Sequence, residues 1–193
     1  EIAQCLVGSE MCIRDRPERM QLVVRGYNDG FAFCYKIPDG KGPCVNVQSE
    51  LTAYNFAGDY TAWFYNGENH NIGPEKLTET DGTRLPVMTV KAGDKHYMAI
   101  HEACLETGAP LVLQSKGGES LFSVASKPTS LSPGYTSAWR VVLYGTTPGV
   151  LTDSHLLELL NPDPDSRYDF SWVKPGLAVW DWRINGAVWD GFT

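Results

Sequence analysis

Three short segments of the sequence combine residue types that could do chemistry. In NFAGDYTAW (55–63), the aromatic rings of Tyr60 and Trp63 stand beside amide and carboxylate groups, as they do in sugar-binding sites. In IHEA (100–103), the carboxylate of Glu102 ends an alternating run and has small or apolar neighbours. A turn with core aromatics and an ordinary surface glutamate explain the same two patterns. Both interpretations of each segment therefore stay open.

The third segment lies near the C-terminus, where SWVKPG (171–176) leads to Trp180-Asp181-Trp182. Residues 172–182 hold three tryptophans, which is too concentrated for a solvated linker. The apolar run 177–180 is compact enough to be a strand buried on both faces, as strands of parallel sheets are. The pattern predicts that a different domain begins here.

The common catalytic signatures are absent from the sequence. It contains no G-x-S-x-G elbow, no G-x-x-x-x-G-K-[ST] phosphate loop and no G-x-G-x-x-G. His101-Glu102 is half of an H-E-x-x-H zinc helix, but Leu105 stands where the second histidine is needed. A multi-histidine site would need most of the four histidines to converge, so none is expected.

Composition excludes several classes of protein. A chain of 193 residues with 42% hydrophobic and 20% charged residues predicts one globular domain, or one domain and a fragment of the next. The net charge is −7 and no Lys/Arg cluster interrupts it, so nucleic acid is not an expected partner. No apolar stretch approaches the roughly 18 residues that span a bilayer. No membrane span is expected.

The first sixteen residues differ from the rest. Residues 1–16 show neither strand alternation nor a helical period, and CLVGSEMCIRDR (5–16) resembles translated sequencing-adapter read-through. We expect an appended or disordered leader without function. The chain starts at Glu1 and not at Met, so we expect any signal peptide to have been lost or never captured.

The five cysteines form no C-x-x-C pair, which argues against a zinc site or a disulfide framework. A bridge between Cys34 and Cys44 could cross one loop, but separate thiols are favoured. The redox compartment cannot be inferred from this pattern.

The elements that must position these segments are short strands. Two alternating runs around Asn28-Asp29-Gly30 predict a hairpin, because these residues tolerate the backbone angles of tight turns. Further strands are predicted at 85–90, 96–101, 111–114, 121–125, 138–144 and 156–160. The last of these has leucines that also suit a helix, but the NPDP sequence after it limits its length and favours a strand. The pattern predicts a mainly β, antiparallel sandwich or barrel.

Five motifs in order, YNDGFAFCY, NFAGDYTAW, IHEA, SAWRVVLYG and SWVKPG, resemble the N-terminal domain of glycoside hydrolase family 97, which includes SusB-type α-glucosidases and α-galactosidases. The resemblance covers about residues 19–193. It implies an antiparallel β-super-sandwich of the galactose-mutarotase-like kind at 17–173. It also implies the first strand of a (β/α)8 catalytic barrel at 174–193.

The resemblance also implies a division of labour. Family members take their catalytic carboxylates from the barrel, so no catalytic residue is expected in this chain. The glutamate of the IHEA-type element, here Glu102, helps to bind a calcium ion at the active site. The expected substrate of the parent is an α-linked oligosaccharide or an α-galactoside, and the expected location is periplasmic or secreted.

Two other functions compete with this one. A free-standing carbohydrate-binding module would use Tyr60 and Trp63, and a purely structural sandwich would use neither. Within the family, both inverting and retaining mechanisms occur, and Trp180-Asp181-Trp182 looks more like the retaining branch. The choice between α-glucosides and α-galactosides stays open.

Overall fold

The computed structural model describes residues 10–13, 20–65, 67, 71–106 and 108–177. These ranges contain thirteen strands, two one-turn α-helices and a 3₁₀ turn at Leu77–Glu79. The strands are β1 (Glu10–Ile13), β2 (Gln21–Tyr27), β3 (Gly30–Lys36), β4 (Val45–Val47), β5 (Ala53–Asn55), β6 (Thr61–Tyr65), β7 (Asn71–Lys76), β8 (Asp81–Lys91), β9 (Tyr97–Ala103), β10 (Leu113–Lys116), β11 (Leu121–Val124), β12 (Thr129–Leu131) and β13 (Trp139–Gly145). The helices are α1 (Pro148–Thr152) and α2 (Leu156–Leu160).

Eleven of these strands form one curled sheet in the order β1-β2-β3-β13-β9-β8-β10-β11-β5, with β6 and β7 branching from β8. Strands β4 and β12 pair separately. Every pairing of named strands is antiparallel. The prediction of a mainly β, antiparallel sandwich is confirmed.

Strand β8 joins the two layers of the sandwich. Residues 81–84 pair with β10, whereas residues 88–91 pair with β9. One buried cluster combines residues of β6, β8 and β9 with residues of β10 and β11, including Phe64, Met88, Ile100 and Phe122. This cluster is the core between the layers.

A second buried cluster covers the opposite face of β9 and β13. It contains Ala99, Val141 and the two helical leucines Leu156 and Leu160. Because successive strand residues point to opposite faces, Ala99 and Ile100 belong to different clusters. Both faces of β9 are therefore packed, which fixes the direction of every side chain along it.

The hairpin predicted around Asn28-Asp29-Gly30 is confirmed as β2 and β3, with Tyr27 paired to Gly30. Glycine at position 30 is required by close packing, since a Cβ there would lie 2.3 Å from the carbonyl oxygen of Val142. The strands predicted near 85–90, 96–101, 111–114, 121–125 and 138–144 correspond to β8, β9, β10, β11 and β13.

The strand predicted at 156–160 is wrong, because these residues form the helix α2. Leu156 and Leu160 are buried four positions apart, while Leu159 is exposed, which is a helical period. The side-chain amide nitrogen of Asn161 donates to the Leu157 carbonyl and ends the turn. The following proline limits the helix to one turn but does not prevent it.

Six short strands were not predicted: β1, β4, β5, β6, β7 and β12. Strand β7 contains Gly73-Pro74, which normally interrupts a strand. Within the described ranges, however, β7 pairs only with β6 and so lies at an edge, where proline is tolerated. Strand β1 lies within the expected leader 1–16 and pairs with β2. Residues 10–13 thus have a place in the sheet that their sequence pattern does not predict.

The chain divides into two compact units after Pro162. In the second unit, residues 163–177 form turns in which Asp165 binds Arg167 and Asp169 binds Ser171. The predicted strand at 177–180 and the Trp180-Asp181-Trp182 motif lie beyond Leu177, outside the described residues.

Two smaller features follow from the same structure. Cys34 is buried in β3, whereas Cys44 is an exposed thiol near the Ser132 hydroxyl, so no bridge joins the two cysteines. Among the residues described, no helix has the length and hydropathy needed to cross a membrane.

Candidate functional site

An arginine buried in the sandwich organises the polar residues around Glu102. Arg140 on β13 is paired directly with Glu102 on β9, and its side chain is only 2% exposed. A buried guanidinium is costly unless carboxylates and carbonyls satisfy it. Its partners therefore define a site.

Glu50 is the stronger partner of this arginine. Arg140 donates from Nε to Glu50 Oε1 at 3.0 Å and from Nη2 to Glu50 Oε2 at 2.7 Å. This is the two-pronged geometry in which arginine binds a carboxylate best. Glu50 lies 90 positions away in sequence, before β5, so the fold alone brings it here.

Glu102 is the looser partner. Arg140 Nη1 is 3.5 Å from Glu102 Oε2 and also donates to the carbonyl of Ala109 at 3.3 Å. The same Oε2 accepts the backbone N–H of Leu111 at 2.5 Å. The Glu102 side chain is 8% exposed. It is a buried, hydrogen-bonded carboxylate and not a surface glutamate.

A chain of hydroxyl groups extends the site on the Glu50 side. The Thr52 hydroxyl donates to Glu50 Oε1 at 2.8 Å, and the Tyr35 hydroxyl lies 2.9 Å from that of Thr52. We call Glu50, Arg140 and Glu102 the Arg140 cluster. It holds two carboxylates against one guanidinium, so it carries one negative charge in excess when all three groups are ionised.

Burial and charge act in opposite directions on Arg140. Burial alone would lower its pKa, but the hydrogen bond and negative charge of Glu50 outweigh burial and raise the pKa above the usual value. Arg140 therefore stays a cation in the folded protein. Burial also raises the pKa of Tyr54 strongly, although the nearby Arg140 opposes the shift.

The Tyr54 hydroxyl is expected to lower the stability of the folded protein. It is buried, and no hydrogen-bond partner for it exists among the described residues. An unpaired buried hydroxyl costs about 1–3 kcal/mol, so Tyr54→Phe should raise the free energy of unfolding at neutral pH by about 1 kcal/mol, as measured by urea denaturation.

The pH dependence of this variant supplies a second check. The raised pKa means that the folded state favours neutral tyrosine more than the unfolded state does. The stability that comes from this difference in pKa is complete below pH 10, where unfolded tyrosine is still protonated. It is lost as pH rises above that value. Tyr54→Phe should thus lose less stability than wild type above pH 10, and identical alkaline curves would contradict this account.

The structure separates the two predicted sugar-binding aromatics. Trp63 is 37% exposed on β6, whereas Tyr60, just before the strand, packs against the core cluster that contains Ala62 and Phe64. By strand alternation, Trp63 faces away from the cluster that contains Ala62 and Phe64, against which Tyr60 packs. They do not form one aromatic platform, and a role in substrate binding stays a prediction for each.

The zinc interpretation of His101-Glu102 is excluded by geometry as well. Both residues lie on a strand, so their side chains face opposite sides of the sheet. The described residues contain no group of three His, Cys, Asp or Glu that could hold a metal ion. Glu102 fits calcium as one hard oxygen donor in a negatively charged cluster, but Ca²⁺ takes 6–8 oxygens. The described residues therefore do not form a complete calcium site, and a ligand role for Glu102 stays a prediction.

Sequence reasoning missed Glu50 and Arg140. A usable signal exists for Arg140, because an arginine inside the apolar strand WRVVLYG must be paired if it is buried. No comparable signal exists for Glu50, which lies in a polar segment next to Ser49.

The two-layer antiparallel fold makes this chain a β-sandwich domain. Its distinguishing feature is the buried arginine–carboxylate cluster. The sequence profile described as Glycosyl-hydrolase 97 N-terminal matches residues 8–162. This chain belongs to that family.

Two curated relatives are similar to the chain. A retaining alpha-galactosidase of Bacteroides thetaiotaomicron is 27% identical over 199 residues, covering 82% of this chain and 30% of the relative. A protein of Streptomyces bingchenggensis named probable retaining alpha-galactosidase is 29% identical over 192 residues, covering 89% and 27%. The chain thus spans less than a third of the length of these relatives.

Solved structures support the fold. A glycoside hydrolase family 97 enzyme from Pseudoalteromonas sp. strain K8, in complex with acarbose, aligns with a TM-score of 0.68 at 22% identity. The alignment covers 88% of this chain and 31% of that enzyme. A beta-arabinopyranosidase aligns with a TM-score of 0.60 at 14% identity over 72% of this chain.

Proposed function

We propose that this chain is the non-catalytic N-terminal domain of an exo-acting α-glycosidase, in which it forms one wall of the active site and supplies Glu102 as a calcium ligand. The observation that carries the proposal is the family match over residues 8–162. The matched part is 30% and 27% of the two relatives, which leaves ample chain for a separate catalytic domain.

The relatives support the proposed substrate class. Both curated relatives are named as retaining alpha-galactosidases, and we extend that activity to the parent of this chain. The exposed Trp63 supports contact with a sugar ring, since an aromatic face packs against the apolar face of a pyranose. A periplasmic or secreted location is part of the same proposal.

The contribution of Glu102 follows from its environment. Strand β9 is packed on both faces, and the Leu111 N–H fixes one carboxylate oxygen, so the side chain is held in one orientation. Bound calcium would neutralise charge and orient a substrate hydroxyl beside it. Glu102 would offer one or two of the required oxygens, and the remaining ligands would come from the rest of the parent.

Hydrolysis by the isolated chain tests the division of labour. The purified 193-residue chain should not hydrolyse p-nitrophenyl α-galactoside or α-glucoside above background, because in this proposal the catalytic carboxylates belong to a separate domain of the parent. The full-length parent should hydrolyse the galactoside with retention of configuration. Turnover by the isolated chain after rigorous purification would overturn the assignment as a non-catalytic domain.

A sugar-binding assay addresses the competing function. A free-standing carbohydrate-binding module would bind a sugar without any parent enzyme. If the gene ends after Thr193 and the chain alone binds galactose or maltooligosaccharides through Trp63, the module replaces the enzyme domain as the function.

A further inference from the structure

We infer that Glu50 is a positioning residue for Glu102: it binds one edge of the Arg140 guanidinium through two hydrogen bonds, so that Glu102 keeps a negative charge available for a second cation. The inference rests on the proposed function, in which that cation is calcium.

The evidence is the unequal sharing of the guanidinium. Glu50 takes Nε and Nη2 at 3.0 and 2.7 Å, whereas Glu102 is reached only by Nη1, at 3.5 Å. Even Nη1 is shared, because it also donates to the Ala109 carbonyl. Coulomb attraction falls with distance and is shared among partners. The charge of Arg140 is therefore neutralised mainly by Glu50.

Glu50 is itself held in place from several sides. Its backbone N–H donates to the Ser126 hydroxyl at 2.7 Å, and the Thr52 hydroxyl donates to its Oε1 at 2.8 Å. Tyr35 on β3 then meets Thr52. These contacts connect Glu50, which lies outside the regular strands, to two parts of the sheet. A residue that positions a metal ligand without touching the metal is expected to be held in this way.

Glu102 is also held in place by contacts that do not involve Arg140. The Leu111 N–H fixes Oε2, and β9 is packed on both faces. Glu102 is therefore oriented by the backbone and only weakly by Arg140. If Glu50 lost its charge, Arg140 would have Glu102 as its only carboxylate partner in the cluster, and the cluster would change from one excess negative charge to none.

Calcium binding to the full-length parent tests this inference. Glu50→Gln keeps the shape of the side chain and removes its charge, so we expect calcium affinity, measured by isothermal titration, to fall about tenfold. The matched control is Glu75→Gln, since Glu75 is another partly buried glutamate in an arginine pair, 3.5 Å from Arg84. The control should leave calcium affinity unchanged, even if it lowers Tm.

Glu102→Gln in the same titration separates the proposed ligand role of Glu102 from the positioning role of Glu50. If Glu102→Gln leaves calcium affinity unchanged, the proposed ligand role is wrong. If Glu102→Gln weakens calcium but Glu50→Gln matches wild type, the positioning role alone is wrong. A purely structural Glu50 would lower Tm in the absence of calcium and leave the affinity unmoved.

A second variant covers the case in which Glu50→Gln does not fold. Thr52→Val removes the hydroxyl that orients Glu50 but leaves all three charges of the Arg140 cluster in place. We expect calcium affinity to fall about two- to threefold. Unchanged affinity in folded Thr52→Val would overturn the inference.

Discussion

Replacing Arg140 by methionine is expected to lower the free energy of unfolding by about 3–5 kcal/mol. Methionine replaces the aliphatic part of the arginine side chain but leaves Glu50 and Glu102 without their shared cation. Both carboxylates are largely buried, with side chains 17% and 8% exposed. Removing one partner of a buried ion pair is costly because the remaining charge stays in a poorly solvated place.

Urea denaturation of the 193-residue chain measures this loss, and Arg167→Met provides the control. Arg167 makes a two-pronged ion pair with Asp165 that is as short as any in the Arg140 cluster, yet its side chain is 82% exposed. Exposed pairs contribute little, so the control should leave the free energy of unfolding nearly unchanged. Equal losses for the two variants would show that burial does not decide the strength of the Arg140 cluster.

Replacing Phe122 by alanine is the second large effect that we expect, with a loss of about 3–5 kcal/mol. Phe122 on β11 is fully buried, and its ring centre lies 5.6 Å from that of Phe64 on β6. Its removal leaves a cavity between the two layers that neighbouring side chains can fill only in part.

Phe31→Ala is the matched control for this variant. Phe31 on β3 is 44% exposed, so its removal creates no closed cavity and should cost at most about 1 kcal/mol. Comparison of the two urea midpoints tests whether the cluster around Phe122 is the core that joins the layers. Similar losses in both variants would contradict that assignment.

The sequence predicts the fold well where a pattern is local. The β2–β3 hairpin follows from alternation and turn residues that lie within a few positions of one another. Strand β7 and helix α2 were missed or mistaken because tertiary position overrides the local signal. Pro74 is tolerated only because β7 is an edge strand, and α2 is helical because Leu156 and Leu160 pack against the sheet.

The candidate site could be predicted only in part. The motif resemblance selects Glu102, and its burial agrees with a role beyond that of a surface residue. The partners of Glu102 depend on strand register. Arg140 and Glu102 are neighbours because β13 pairs with β9. Glu50 contacts Arg140 although the two residues lie 90 positions apart in the sequence. No spacing in the sequence encodes those contacts.

The calcium dependence of turnover by the full-length protein, compared with its Glu102→Gln variant, tests the central claim most directly. Glutamine keeps the shape of the side chain but loses the charge that a hard cation prefers. We predict that the variant needs at least about tenfold more calcium for half-maximal hydrolysis of the α-galactoside and turns over more slowly at saturation, while its sandwich stays folded. Superimposable calcium curves and equal turnover for the two proteins would contradict the claim that this domain supplies a ligand to the active site.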